Sequence, residues 1–156
     1  MPRPPEAAGE SVNETAPDWL LGTWRLVSVL REDLRTGVKA DFFGPDPIGY
    51  ITYSADRRMM VVIVRSDRQK PAGARATPAE ADALWKSLVS YAGTFSIDGD
   101  EITHHVEVSW NESWTGTHQT RRFRLAEGRL TLETPPSPDP VDGVMSVRSM
   151  VWERPG

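Results

Sequence analysis

The chain has 156 residues, no cysteine and a formal net charge of −4, which suits one domain able to bury a core without disulfides. The missing cysteines exclude a thiolate metal site, a cysteine nucleophile and an iron–sulfur cluster. The basic residues are scattered (Arg57, Arg65, Arg75, Arg121, Arg129) without the clustering that nucleic acid requires, and the longest strongly apolar run, residues 59–64, is far short of the ~18 residues of a membrane span.

In chain order, residues 1–16 are polar and proline-rich. They carry no apolar signal-peptide core and are expected to form a flexible tail ahead of one domain over residues 17–156. With the lack of cysteine, this points to a cytoplasmic protein. Residues 18–21 read as a short helical turn that leads past Gly22 into a strand over 24–32. A turn-rich link with Gly44, Pro45 and Pro47 follows. Strands over 48–54 and 58–65 make a hairpin. Residues 66–76 are polar and contain Gly and Pro, a loop by composition. Thr77, Pro78 and Glu80 then form a helix start, with a cap, a first-turn proline and a capping box. Ala81, Leu84, Trp85 and Leu88 fall on one stripe of a helix running to Ser90. Beyond it lie strands over 92–98, 101–110, 117–126, 129–134 and 144–153, with Asp98-Gly99 a hairpin signal. Residues 135–143 are too proline-rich for a central strand.

Eight strands with short turns and a dominant period of two predict an all-β fold with one helix, an eight-stranded antiparallel barrel. Closure removes the exposed edges, and a barrel of this size has room for side chains or one small ligand. The helix and the loop over 66–76 are placed to cover one mouth as a lid.

Particular residues also carry a family likeness. Leu21-Gly22-Thr23-Trp24 resembles the Gly-x-Trp opening of lipocalins. Residues 49–54 (Gly-Tyr-Ile-Thr-Tyr-Ser), the Tyr91 to Phe95 segment, His104-His105-Val106-Glu107-Val108, the run from Trp114 to Arg121 and Trp152-Glu153-Arg154 together resemble the bacterial and fungal lipocalin-like domain family. One departure is Asn111-Glu112, where that pattern has Asn-Pro. The resemblance implies a lipocalin-like, calycin-type β-barrel, and a basic residue, Arg121 or Arg154, packed over Trp24. By analogy with related small barrels in biosynthesis, it admits cofactor-free cyclases and isomerases.

Alternation assigns faces. Over 101–110 the even positions Ile102, His104, Val106, Val108 and Trp110 point inward, and His105 and Glu107 outward. On the following strand Thr117, Gln119, Arg121, Phe123 and Leu125 point inward and His118 outward. Trp24, Leu26, Ser28 and Leu30 share a face, with Trp24 at the barrel base. Residues 59–64 are apolar on both faces and give no parity.

His104, Arg121 and Gln119 thus enter an otherwise apolar space. His104 is open to two roles: a neutral hydrogen-bonded core histidine, or a general acid/base. Arg121 either closes the barrel over Trp24 or holds a carboxylate, enolate or phenolate oxygen. His104 and Arg121 are the candidate catalytic residues. Gln119, Trp110, Trp114, Tyr50, Tyr53, Phe95 and Trp24 are candidate ligand contacts, with Trp114 at the rim. Neighbours on a strand face opposite ways, so His104 and His105 cannot share an ion. No phosphate loop and no serine elbow is present, and neither metal nor cofactor is expected. The partner expected is a small apolar or aromatic molecule, with no nucleic acid and no membrane. The leading function is ligand binding, the alternative a cofactor-independent isomerase or cyclase. A filled barrel acting through its surface as a homodimer is a third reading.

Overall fold

A computed structural model describes residues 14–139 and 142–156. Residues 1–13 of the expected tail lie outside the described residues. Residues 14–16 are fixed onto the barrel. The Glu14 N–H donates to the Ile97 carbonyl at 2.9 Å, its carboxylate accepts from the Gly99 N–H at 3.0 Å, and Ala16 packs on the core.

The strands are β1 (Gly22–Asp33), β2 (Lys39–Asp41), β3 (Ile48–Tyr53), β4 (Arg58–Val64), β5 (Leu88–Asp98), β6 (Glu101–Ser109), β7 (His118–Ala126), β8 (Arg129–Glu133), β9 (Ser137–Pro138) and β10 (Met145–Glu153), with helix α1 (Pro78–Lys86) between β4 and β5. Eight of them run β1-β3-β4-β5-β6-β7-β8-β10 and close through a β1–β10 pairing. The short β2 and β9 lie outside this ring, on β1 and β10. All the pairings are antiparallel, and no helix among the described residues is long and apolar enough to cross a membrane.

Alternation builds the core. On β3, Ile51 and Tyr53 are buried while Ile48 and Tyr50 are exposed. On β4, Met59, Val61 and Ile63 are buried while Met60 and Val62 are exposed. Each fully buried Val, Leu or Ile side chain stabilises the barrel by roughly 1.5–3 kcal/mol. The residue run without a parity of its own therefore has one in the fold, and its outer apolar face is not covered by the helix.

Two bulges interrupt the period. On β1 the register against β10 shifts between Leu26 and Ser28, so Val29 is the next buried residue, not Ser28. On β6 the pairing steps from Gly93↔Val106 to Ala92↔Val108. The strands approach so closely there that a Cβ on Gly93 would lie 1.8 Å from the His105 carbonyl oxygen, which only glycine permits. Val108 consequently faces out, 61% exposed, against the inward position that alternation gave it. Leu125, near the end of β7, is likewise 42% exposed.

The helix begins as expected. Thr77 Oγ1 accepts from the Glu80 N–H at 3.2 Å and Glu80 Oε1 accepts from the Thr77 N–H at 2.8 Å. It ends at Lys86, not Ser90, because Leu88, Val89 and Ser90 pair with β4. Losing Leu88 to the sheet leaves the apolar stripe incomplete, and no helix residue is buried.

Candidate functional site

At the base of the barrel the polar groups are satisfied internally. The Trp24 indole N–H donates to the Leu20 carbonyl at 2.9 Å. The Arg154 guanidinium lies 3.8 Å from the centre of the Trp24 ring and donates to the carbonyls of Trp19, Leu21 and Thr23. Arg154, and not Arg121, is the basic residue over Trp24. Phe123 packs on Trp19 beside it.

Above this plug the barrel holds a cavity of ≈ 100 Å³, or ≈ 700 Å³ counted out through its mouth. Its wall is mainly aliphatic and aromatic: Val29, Ile51, Val61, Ile63, Leu132 and Met150, with Phe42, Phe43, Tyr91, Trp114 and Trp152. The polar side chains on it besides Tyr91 and the indoles of Trp114 and Trp152 are His104, Arg121, Thr134 and Arg148. Phe42 and Phe43, from the link before β3, reach the cavity, whereas no residue of α1 does. The helix is not the lid that its position suggested. Its Trp85 packs instead on Trp110, which in turn meets Trp114.

His104 is 2% exposed. Its Nε2 is 2.7 Å from the Tyr53 hydroxyl and its Nδ1 2.7 Å from the Tyr91 hydroxyl. Burial, followed by the nearby Arg121 cation and His105, pulls its pKa down to about 3, so it is neutral at ordinary pH. Burial raises the Tyr91 hydroxyl to about 12 and holds the Tyr53 hydroxyl well above its ordinary value, in each case against the attraction of the Arg121 charge. A neutral imidazole donates from one nitrogen and accepts at the other. Tyr53 is fully buried away from the cavity, and its hydroxyl has His104 as its one hydrogen-bond partner among the described residues. Its O–H must therefore donate to Nε2, since a buried hydroxyl proton without an acceptor is costly. Nδ1–H then donates to the Tyr91 oxygen, and the Tyr91 proton is left for the cavity.

Arg121 projects from β7 onto the same wall. Its Nη1 donates to the Thr120 carbonyl at 2.9 Å, and no carboxylate lies within ion-pair distance of it among the described residues. Burial lowers its pKa, but a guanidinium keeps its proton in proteins. The second wall arginine, Arg148, is occupied: it meets Asp139 at 3.2 Å and lies 4.0 Å from the Phe42 ring centre. The Trp152 indole N–H, fully buried on the wall, has no acceptor among the described residues.

Of the residues singled out by sequence, His104, Arg121 and Trp114 line the cavity. Gln119 does not. β7 pairs with β8 only from Arg122↔Glu133 onward, because Pro135 and Pro136 carry the chain away. Gln119 sits at the resulting gap in the wall, beside a shallow depression it shares with Arg121 and Arg148, and its amide donates to Thr117 Oγ1. Tyr50 is 45% exposed on the outer face; it lies three positions from Tyr53 on one strand, so the two cannot both face in. Trp110 falls beyond the β6 bulge and lines an outer groove. Tyr53, Phe95 and Trp24 are buried in the barrel below the cavity and do not line it. Tyr91, Trp152 and Arg148 went unassigned. Tyr91 shares the parity of Phe95 and was findable that way. Trp152 was read as a family ending, and its unpartnered N–H has no sequence signal.

A closed antiparallel barrel, plugged at one end and hollow at the other, is an architecture that encloses a small molecule. The chain belongs to the lipocalin-like domain family, whose model matches residues 21–154. No curated protein matches it in sequence.

Proposed function

We propose that the barrel binds one small apolar or aromatic molecule in the cavity between β1, β4 and β10. The observation that carries this reading is the wall itself: a hollow of aliphatic and aromatic side chains into which a few polar groups converge, the usual make-up of a ligand pocket. A barrel built only for stability has no use for that void, since unfilled space weakens a core.

The isomerase or cyclase alternative asks His104 to exchange a proton near neutral pH. Burial and the two tyrosines hold it neutral and hydrogen-bonded at both nitrogens, which favours binding over turnover. The test is native mass spectrometry of protein purified from its own cells, together with a titration with benzene followed by NMR at the Val61 and Ile63 methyls. A retained small mass and methyl shifts are expected, both lost in Val61→Phe, which fills the hollow. An empty barrel whose methyls ignore benzene overturns the reading.

A further inference from the structure

Resting on the reading of the cavity as a ligand site, we propose that its occupant carries an anionic oxygen, a carboxylate or phenolate, at the end that meets Arg121 and Tyr91, with the Trp152 N–H a further donor on the same wall. Every polar side chain on the wall is a donor with a proton to spare, or has its acceptors already taken. Arg121 spends one N–H on the Thr120 carbonyl and has no carboxylate partner among the described residues. The Tyr91 oxygen receives the His104 Nδ1–H, so its own proton has no acceptor among the described residues. The Trp152 N–H has none either. On the acceptor side, Thr134 Oγ1 already takes the Arg148 N–H at 2.9 Å, and both His104 nitrogens are engaged. The carboxylate of Asp139 is held by Arg31 and Arg148.

Such a wall discriminates by sign. An ammonium would bring a further cation to a wall that already holds Arg121 and Arg148, and more donors where donors are already in excess. A neutral amide can receive one or two of the hydrogen bonds. A carboxylate has acceptors for several of them and pairs with the guanidinium, the combination that makes charge-assisted hydrogen bonds strong. The apolar remainder of the ligand would lie along Val29, Val61 and Ile63. Leaving a partly buried cation and a buried N–H unmet costs stability, and Arg121 and the Trp152 N–H both lie on the cavity wall, where a ligand can meet them.

The test uses benzoate, benzamide and benzylammonium, which share a ring and differ in the head, titrated into the full chain and read by NMR on the Val61 methyls and the Trp152 indole N–H. Benzoate is expected to bind at least about tenfold more tightly than benzylammonium, with benzamide between them, and to move the Trp152 N–H downfield. Arg121→Gln should cost benzoate about tenfold and leave benzamide within about twofold. The ¹⁵N shifts of His104 should report the Nδ1–H form. Equal or tighter binding of benzylammonium overturns the proposal, as does an Nε2–H tautomer. The wild-type comparison needs no variant, so a poorly folding Arg121→Gln does not weaken it. If benzene binds and the three heads bind alike, the anion assignment fails while the cavity reading stands. If nothing binds, the cavity reading itself fails.

Discussion

The base plug and the cavity wall of this barrel each hold a tryptophan and an arginine, and they treat them oppositely. At the base, the Trp24 N–H has the Leu20 carbonyl and Arg154 has three carbonyls and an aromatic face. On the cavity wall, the Trp152 N–H has no acceptor among the described residues and Arg121 has a single carbonyl. The residue types are the same, so hydrophobicity and charge do not distinguish structural from functional positions. Saturation does. Where every donor is met, the group holds the fold; where donors converge unmet on a hollow, the group waits for something from outside.

The largest expected effect lies at the saturated end. Trp24→Ala removes a fully buried indole, and such truncations cost about 3–5 kcal/mol. Trp114→Ala, at the cavity rim and only half-buried, should cost far less. Urea denaturation of both variants makes the comparison. Equal losses would mean that the rim is as structural as the base.

The second effect is a pH dependence that originates in the hollow end. In the folded protein His104 titrates at about 3, whereas an unfolded histidine titrates near 6.5. Between these values the unfolded chain binds a proton that the folded one refuses, so the stability present above 6.5 is lost as the pH falls, by about 1.4 kcal/mol per unit. From pH 7 to pH 5 the wild type should lose about 2 kcal/mol through this one residue. His104→Gln, which keeps a donor and an acceptor between the tyrosines, should lose less than half as much. A parallel decline in both proteins would place the acid sensitivity elsewhere.

How far the sequence revealed the two ends follows from where the period of two runs unbroken. The barrel itself was legible because alternation, turns and the capping box agree over most of the chain. So were His104 and Arg121, both on the near side of the β6 bulge. Beyond the bulge, Val108 and Trp110 came out on the wrong face, since one inserted residue reverses every later side chain. Gly93 is the only mark of that bulge in the sequence, and a lone strand glycine has several meanings. The second bulge hid Val29 in the same way. The cavity's chemistry was the least legible part, because it depends on which donors lack partners, a property of three-dimensional pairing across β5, β6, β7 and β10 that no local pattern carries.

The smallest effect on stability is the sharpest test of saturation. Trp152→Phe removes an indole N–H whose burial without a partner already costs about 1–3 kcal/mol, so the relief offsets much of the packing lost with the larger ring. The net change should lie within about 1 kcal/mol. Trp24→Phe makes the same chemical change but breaks a bond to the Leu20 carbonyl and leaves that oxygen buried, so it should cost about 1–2 kcal/mol more than its counterpart. Ligand binding should order the pair in reverse: benzoate weakens in Trp152→Phe and is untouched in Trp24→Phe. Matched urea midpoints and benzoate titrations on the two variants read both halves. A Trp152→Phe protein that is much the less stable of the two would mean that its indole N–H is satisfied in solution, and the distinction between the two ends would collapse.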